Sequence, residues 1–202
     1  MNLQSRFFKK NQEFRVSHKE KLASYTICET LHHFLMESSP PYVFICIGTD
    51  RSTGDSLGPL VGTFLKDKHL KNTKVYGTLD NPIHAMNLVD TLANIKEIHP
   101  NSPFVAIDAC LGKSNSIGDI ITKKGPVMPG AAVKKDLPAV GDYQMTGIVN
   151  VSGYMEYMVL QSTRLSIIMQ MAKVMSDGIY MFDRQSTMPR KEEAPLTIDV
   201  SQ

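Results

Sequence analysis

The feature that most constrains the fold is a near-continuous apolar run, Tyr42 to Ile47, which has no polar face. A strand with one solvated face alternates apolar and polar residues, because successive side chains point to opposite sides. Uninterrupted apolar strands are typical of parallel sheets, which helices cover on both faces. The run therefore predicts a central strand of an α/β sheet.

Three further segments have the composition of strands, and helical patterns lie between them. The segments are 74–79, 104–107 and 146–151. Pro59 and Pro82 fall near the first turns of two of the intervening helices, where proline is tolerated. Strands that alternate with helices predict βαβ units with right-handed crossovers, and hence a parallel sheet.

Three helical patterns make specific predictions. A capping box over Ser17 to Glu20 predicts Ser17 as the N-cap of the first helix. The last helix is expected to be one long element, and its methionines are interpreted as core rather than as part of a cofactor site. The predicted inner faces are Met86, Val89, Leu92 and Ala93 after Pro82, and Met158, Leu165, Ile168, Ala172, Met175 and Ile179 in the last helix.

Length and patterning fit one domain with polar ends. A chain of 202 residues can enclose a continuous core. We expect an N-terminal tail over 1–16, a single α/β domain over 17–183 and a C-terminal polar tail over 184–202. The segment 111–143 is rich in glycine and proline and predicts loops with room for a hairpin. Its length suits a lid or an interface, which leaves a homo-oligomer open.

Charge and cysteine usage narrow the class of partner. A formal net charge of +2 gives no strong field for nucleic acid or membranes, and no apolar run approaches a membrane span. Three widely separated cysteines argue against a disulfide framework and favour a reducing, cytoplasmic location. The spacings that bind zinc are missing. We therefore expect no cofactor, no membrane contact and no direct nucleic-acid partner.

Two aspartates follow strands that can be neighbours. Asp108 ends the segment 104–107, and Asp55 lies in the loop after the Tyr42 strand. Ligands of open parallel sheets bind beyond the carboxyl ends of the strands, where the strand order reverses. If the four predicted strands, numbered along the chain, lie in the order 2-1-3-4 across the sheet, both carboxyl groups face one cleft. The residues expected to bind there are Thr49, Asp50, Arg51, Asp80, His84, Pro129 and Gly130.

Several roles are open for these acids. One can hold a proton while the other activates water, or the pair can chelate a hard divalent cation. Asp55 can instead cap the helix that follows it. A phosphate loop is disfavoured because Asp55 stands where the P-loop has lysine, although Arg51 keeps nucleotide binding open. Cys110 is expected to be a buried, inert thiol.

Several segments carry a family resemblance. Cys46–Thr49 with Thr53–Val61 resembles the first motif of the spore germination protease, and Ala106–Ala109 resembles its second motif. Pro129–Lys135, followed by Thr146–Val149, is similar to its glycine-containing loop and next strand. These matches run from about residue 42 to about residue 152. The resemblance implies the fold of the hydrogenase maturation proteases, a three-layer, doubly wound, mostly parallel α/β sandwich.

The resemblance also implies a function. The spore germination protease degrades the small acid-soluble proteins that coat spore DNA, and its two motif aspartates correspond to Asp55 and Asp108. We therefore expect a peptidase-like hydrolase of sporulation or germination that uses this pair on a protein substrate. The alternative is an inactive sporulation protein that binds a partner in the same cleft, because the family's glycine and asparagine are replaced by Cys46 and Thr49. No metal is expected, since the nickel-binding histidine of the maturation proteases has no counterpart in 128–143.

Overall fold

A computed structural model describes residues 13–130 and 137–186, and the statements below concern those residues. The predicted central strand is present at Tyr42–Cys46, and every one of its side chains is buried. The strands are β1 Glu13–Ser17, β2 Tyr42–Cys46, β3 Thr73–Tyr76, β4 Phe104–Gly112, β5 Asp119–Lys124 and β6 Tyr143–Val151. The helices are α1 Ala23–Leu35, α2 Leu57–Lys66, α3 Leu88–Ile98, α4 Glu156–Gln161 and α5 Leu165–Gln185.

The strands form one six-stranded sheet in the order β1-β5-β6-β4-β2-β3. Neighbours among β3, β2, β4 and β6 are parallel, whereas β5 is antiparallel to both β6 and β1. The four predicted strands therefore have the order 2-1-3-4 when they are numbered along the chain, as the cleft hypothesis requires. Within the segment 111–143, interpreted from the sequence as loops with room for a hairpin, β5 is a strand, and its antiparallel partner β6 lies almost entirely beyond that segment.

Two apolar clusters cover the two faces of the sheet. On β2, Phe44 and Cys46 belong to a cluster with α1, α2 and α5, while Val43 and Ile45 belong to a cluster with α3. This alternation explains why the strand has no polar face, since each face meets a helical layer. The three-layer, mostly parallel α/β class predicted from the sequence is confirmed.

The N-terminal boundary differs from the capping-box prediction. Glu20 Oε1 accepts a hydrogen bond from the Ser17 backbone N–H at 3.0 Å, as in a capping box. Ser17 nevertheless ends β1, and α1 begins only at Ala23, so this hydrogen bond stabilises a strand-to-helix turn rather than a helix start. β1 itself lies mostly within the range 1–16 that was assigned to a tail, and its pairing with β5 holds it in the sheet. Residues 1–12 and 187–202 of the two predicted tails lie outside the described residues.

The inner face predicted for α3 was wrong at three of its four positions, since Met86, Val89 and Ala93 are exposed and only Leu92 is buried. Met86 is 83% exposed and Val89 is 59% exposed. A turn in which Asn87 Oδ1 accepts the His84 N–H precedes the helix, and α3 starts at Leu88. This start rotates the inward stripe onto Leu88, Leu92 and Ile95, which are buried.

The predicted long C-terminal helix is divided into α4 and α5. The Asn150 side-chain amide donates to the Val159 carbonyl at 3.1 Å and to Thr163 Oγ1 at 3.1 Å, which satisfies the end of α4. As a result Met158 and Leu165, on either side of the break, are more than half exposed instead of inward. The other predicted positions of the stripe, Ile168, Ala172, Met175 and Ile179, are core residues.

Asp183 links α5 to the start of β3, and its removal is expected to destabilise the fold. Its fully buried carboxylate accepts the backbone N–H groups of Lys71 and Asn72, both at 2.9 Å. Asp183→Ala leaves these donors without partners, which should lower the free energy of unfolding by about 2–5 kcal/mol. Asp177→Ala on the same helix removes partly exposed ion pairs with Lys68 and Lys173 and should cost about 1 kcal/mol. Urea unfolding checks both values, and equal losses would contradict the assignment.

None of the helices in ranges 13–130 and 137–186 combines the length and apolar character that a membrane crossing requires.

Candidate functional site

The loop that carries Asp55 is closed on itself at the end of β2. Ile47 donates its N–H to the Ile107 carbonyl at 2.8 Å, and the chain then leaves the sheet. Gly48 has a φ of 141°, a conformation that side chains disfavour, and a Cβ there would overlap the Asp55 carbonyl oxygen. Thr49 donates its N–H to that same oxygen at 3.1 Å. The close approach at Gly48 thus fixes Asp55 beside the strand end.

Asp108 lies where β4 loses one of its two neighbours. The pairing of β4 with β2 ends at Ile107, opposite Cys46, whereas the pairing with β6 continues to Gly112. The prediction that Asp108 ends its strand was therefore wrong, because β6 supports β4 for four more residues. The carboxyl end of β2 nevertheless opens space beside Asp108, so its carboxyl group borders a cleft.

The cleft has a volume of about 920 Å³ and contains both acids. It opens at the carboxyl end of the parallel strands, between the loop after β2, the segment before α3, the loop after β5 and the helix α4. Seven residues singled out from the sequence line it: Thr49, Arg51, Asp55, His84, Asp108, Pro129 and Gly130. Residues 131–136, part of the glycine-containing loop that carries the family resemblance, lie outside the described residues.

Two predicted binding residues are placed elsewhere. Asp80 is exposed and pairs with Lys66 Nζ at 3.2 Å, because the loop after β3 turns towards the end of α2 rather than over the cleft. Asp50 is exposed at the tip of the β2 loop, outside the lining of the cleft. Neither carboxylate is positioned with Asp55 and Asp108.

The two cleft acids differ in proton affinity. Burial raises the pKa of Asp108 to about 8, an effect that the negative charge of Asp55 increases and the hydrogen bond from the Ala109 N–H at 2.9 Å opposes. Burial also raises the pKa of Asp55, but less, and the Ser52 hydroxyl opposes the rise. With a pKa of about 8, Asp108 holds a proton near neutrality, and Asp55 is the acid of lower proton affinity.

Local geometry narrows the roles that the sequence left open for Asp55 and Asp108. Ser56, not Asp55, occupies the N-cap position of α2, and no side chain caps that helix. The capping role that the sequence left open for Asp55 is therefore not observed. Within ranges 13–130 and 137–186, no three His, Cys, Asp or Glu side chains form a group that could hold a metal ion. The ligands available to a cation in this part of the cleft are the carboxyl groups of Asp55 and Asp108.

Cys110 also lines the cleft. Burial raises the pKa of its thiol, and the charge of Asp108 raises it further, while Thr146, Arg15 and Lys123 oppose the rise. The thiol is therefore protonated near neutrality, although Cys110 is only partly buried rather than buried as expected.

Sequence reasoning did not identify several residues of the cleft wall. Met86 was assigned to the core, whereas Met128, Glu156, Tyr157 and Leu160 were not considered as site residues. No periodicity marks them, since they come from a turn, a loop and a short helix. The one available signal was the density of large apolar side chains over 154–158, where a polar surface is usual.

Comparisons with known proteins identify relatives of the chain. A model of the family described as "Protein of unknown function (DUF1256)" matches residues 15–178. The "Uncharacterized protein YyaC" of Bacillus subtilis (strain 168) is 51% identical over 170 residues, which are 84% of this chain and 83% of that protein. Among solved structures, a [NiFe] hydrogenase maturation protease HycI from Thermococcus kodakarensis KOD1 is 17% identical, with a TM-score of 0.48, over 75% of this chain and 97% of that chain.

Proposed function

Because the chain belongs to the DUF1256 family of proteins of unknown function, we propose a function from its cleft: hydrolysis of a peptide bond in a protein substrate, with Asp55 and Asp108 as the catalytic residues. The observation that carries this proposal is that two carboxyl groups from distant parts of the chain line one cleft and interact electrostatically. Paired acids of unequal proton affinity supply both a general base and a general acid.

The division of labour follows from the protonation states. Asp55 takes a proton from water as the water oxygen attacks the peptide carbonyl carbon, and Asp108 donates its proton to the carbonyl oxygen. In the second step Asp55 gives its proton to the amide nitrogen, the C–N bond breaks, and Asp108 recovers a proton from the intermediate. One water is consumed, a carboxylic acid and an amine are released, and both aspartates return to their starting states.

The resemblance to the spore germination protease indicates which substrates to try first. Small acid-soluble spore proteins are the proposed protein class, and the cytoplasm of the sporulating cell or of the spore is the proposed location. These assignments depend on likeness between motifs, whereas the acid pair depends on the cleft itself.

An assay of cleavage tests the proposal. The purified chain is incubated with small acid-soluble spore proteins, with and without a chelator, and fragments are identified by mass spectrometry. Fragments that the wild type produces and Asp55→Asn does not produce would support the acid pair. Equal cleavage by both proteins would remove it, and loss of cleavage with the chelator alone would indicate that a cation takes part.

A second function, binding without turnover, is favoured by one residue of the cleft. Thr49 lines the cleft at the position where the protease motif has asparagine. Cys46, the other departure, is fully buried in the core and does not reach the cleft. Calorimetry with the same spore proteins separates the two functions, because heat of binding without fragments indicates a binding protein.

A further inference from the structure

The mouth of the cleft is apolar although its floor carries acids. Three large apolar side chains line the cleft and are more than half exposed: Met86 at 83%, Met128 at 58% and Tyr157 at 57%. They come from three separate segments, namely the turn before α3, the loop after β5 and the helix α4. We call these three residues the rim.

Single exposed apolar residues are ordinary on a protein surface, but the convergence of three on one opening is not. Two of the three are methionines, whose flexible and polarisable side chains adapt to differently shaped apolar groups. Beside Tyr157, Met155 has left-handed backbone angles, φ 54° and ψ 46°. Such angles in a residue other than glycine are strained and are often found at functional sites.

The charges of the cleft also favour an apolar occupant. Its charged groups among the described residues are Arg51, Asp55 and Glu156, since Asp108 holds a proton near neutrality. Glu156 Oε1 already accepts the Gly153 N–H at 3.2 Å. His84, which also lines the cleft, accepts the Met86 N–H through Nδ1 at 3.3 Å. The described residues of the cleft thus present charges of both signs and no dense field of one sign, so among them the apolar side chains of the rim are expected to dominate selection of the occupant.

We infer that the rim selects polypeptide segments with large apolar side chains next to the scissile bond, so that Met86, Met128 and Tyr157 determine the specificity of the cleft. This inference rests on the proposed hydrolase function for the position of the bond, although the binding preference itself does not require cleavage. The geometry that carries it is that the exposed apolar rim and the acid pair line the same cleft.

Paired peptides test the rim directly. A fluorescent decapeptide of serine and glycine with two central leucines is compared with one in which the leucines are serines, by anisotropy and by mass spectrometry of the same samples. The leucine peptide is expected to bind at least about tenfold more tightly, which corresponds to burial of one such side chain. Met86→Ser, Met128→Ser and Tyr157→Ser should each weaken its binding by about three- to tenfold and leave the serine peptide unaffected.

Met36→Ser is the matched control. Met36 is 52% exposed at the end of α1, outside the cleft, so its substitution should leave both affinities unchanged. Met86→Leu should restore tight binding, which a loss of structure would not allow. For any peptide that is cleaved, rim variants should raise KM and leave kcat near the wild-type value.

The outcomes separate the inference from the proposed function. Preferential binding of the leucine peptide without cleavage supports the specificity assigned to the rim and contradicts the proposed hydrolase function. Equal affinity for the two peptides, or no binding of either at millimolar concentration, contradicts the specificity assigned to the rim, even if fragments are formed.

Discussion

Replacing Asp108 by asparagine is expected to lower the rate of peptide hydrolysis by about 10²–10⁴-fold, the usual contribution of a positioned general acid. Asparagine retains the size of the side chain but has no proton to donate to the carbonyl oxygen. The rate is measured with the best-cleaved peptide at pH 6.5. Asp90→Asn, an exposed change in the first turn of α3, serves as the control and should retain the wild-type rate.

The pH profile provides a second measurement of the same assignment. Because Asp108 must be protonated, the wild-type rate should fall as pH rises through about 8. Because Asp55 must be ionised, the rate should rise with pH through a value above the ordinary aspartate range. The residual activity of Asp108→Asn should lack the alkaline decrease, and a decrease that persists in this variant would assign it to another group.

Protein stability should depend on the same protonation of Asp108 as catalysis does. The folded pKa of Asp108 lies above its unfolded value, so folding binds the proton more tightly and the stabilising effect is complete below about pH 4. That effect is lost as pH rises through about 8. Asp108→Asn stays neutral, so its melting temperature relative to that of the wild type should increase between pH 5 and pH 9. Thermal unfolding at the two pH values checks this direction.

Gly48→Ala is expected to damage both the fold and the site. The φ of 141° disfavours a side chain, and the new methyl group would overlap the Asp55 carbonyl oxygen. Strained backbone and overpacking each cost about 1–3 kcal/mol, so the free energy of unfolding should fall by about 2–6 kcal/mol. Any displacement of Asp55 should reduce cleavage by roughly 10²-fold, since small shifts of catalytic groups have effects of this size.

Gly153→Ala separates the two contributions. Gly153 has a φ of 143°, close to that of Gly48, but nothing lies within 4 Å of a Cβ added there. The substitution should therefore cost only the backbone contribution of about 1–3 kcal/mol. Urea unfolding of both variants measures the two losses of stability. The difference between them is the contribution of the overlap with Asp55. If the two losses of stability are equal, the close approach of Gly48 to Asp55 does not constrain the loop.

The parallel part of the sheet could be predicted because its residues meet helices on both faces. The apolar run at Tyr42–Ile47 and the segment 104–107 have no solvated side. The βαβ connections predict that the two strands are neighbours in the sheet. Convergence of Asp55 and Asp108 on one cleft then required only the strand order. β1 and β5 were missed because they pair antiparallel, outside the βαβ pattern, and β1 lies at the edge of the sheet. β1 has an alternating Glu13–Ser17 pattern, but it precedes the segment that was interpreted as a capped helix.

The remaining differences arise where tertiary contacts override local patterns. The break between α4 and α5 depends on Asn150 of β6, which is distant from the break in sequence by more than one helical turn. The start of α3 depends on a hydrogen bond between His84 and Asn87, and a shift of this start exposed Met86. Helical periodicity alone contains neither contact, and for that reason Met86 of the rim was assigned to the core.

The two acids are attached to the scaffold in different ways. Asp108 is held in the middle of a hydrogen-bonded strand, while Asp55 is held by a short loop closed through Thr49 and Gly48. The distance between the carboxyl groups is therefore a property of the loop, and one partner of the pair is stationary. In a related protein, insertions or substitutions between positions 48 and 55 would change the distance between the two carboxyl groups, and with it how they share a proton. The sheet would stay the same.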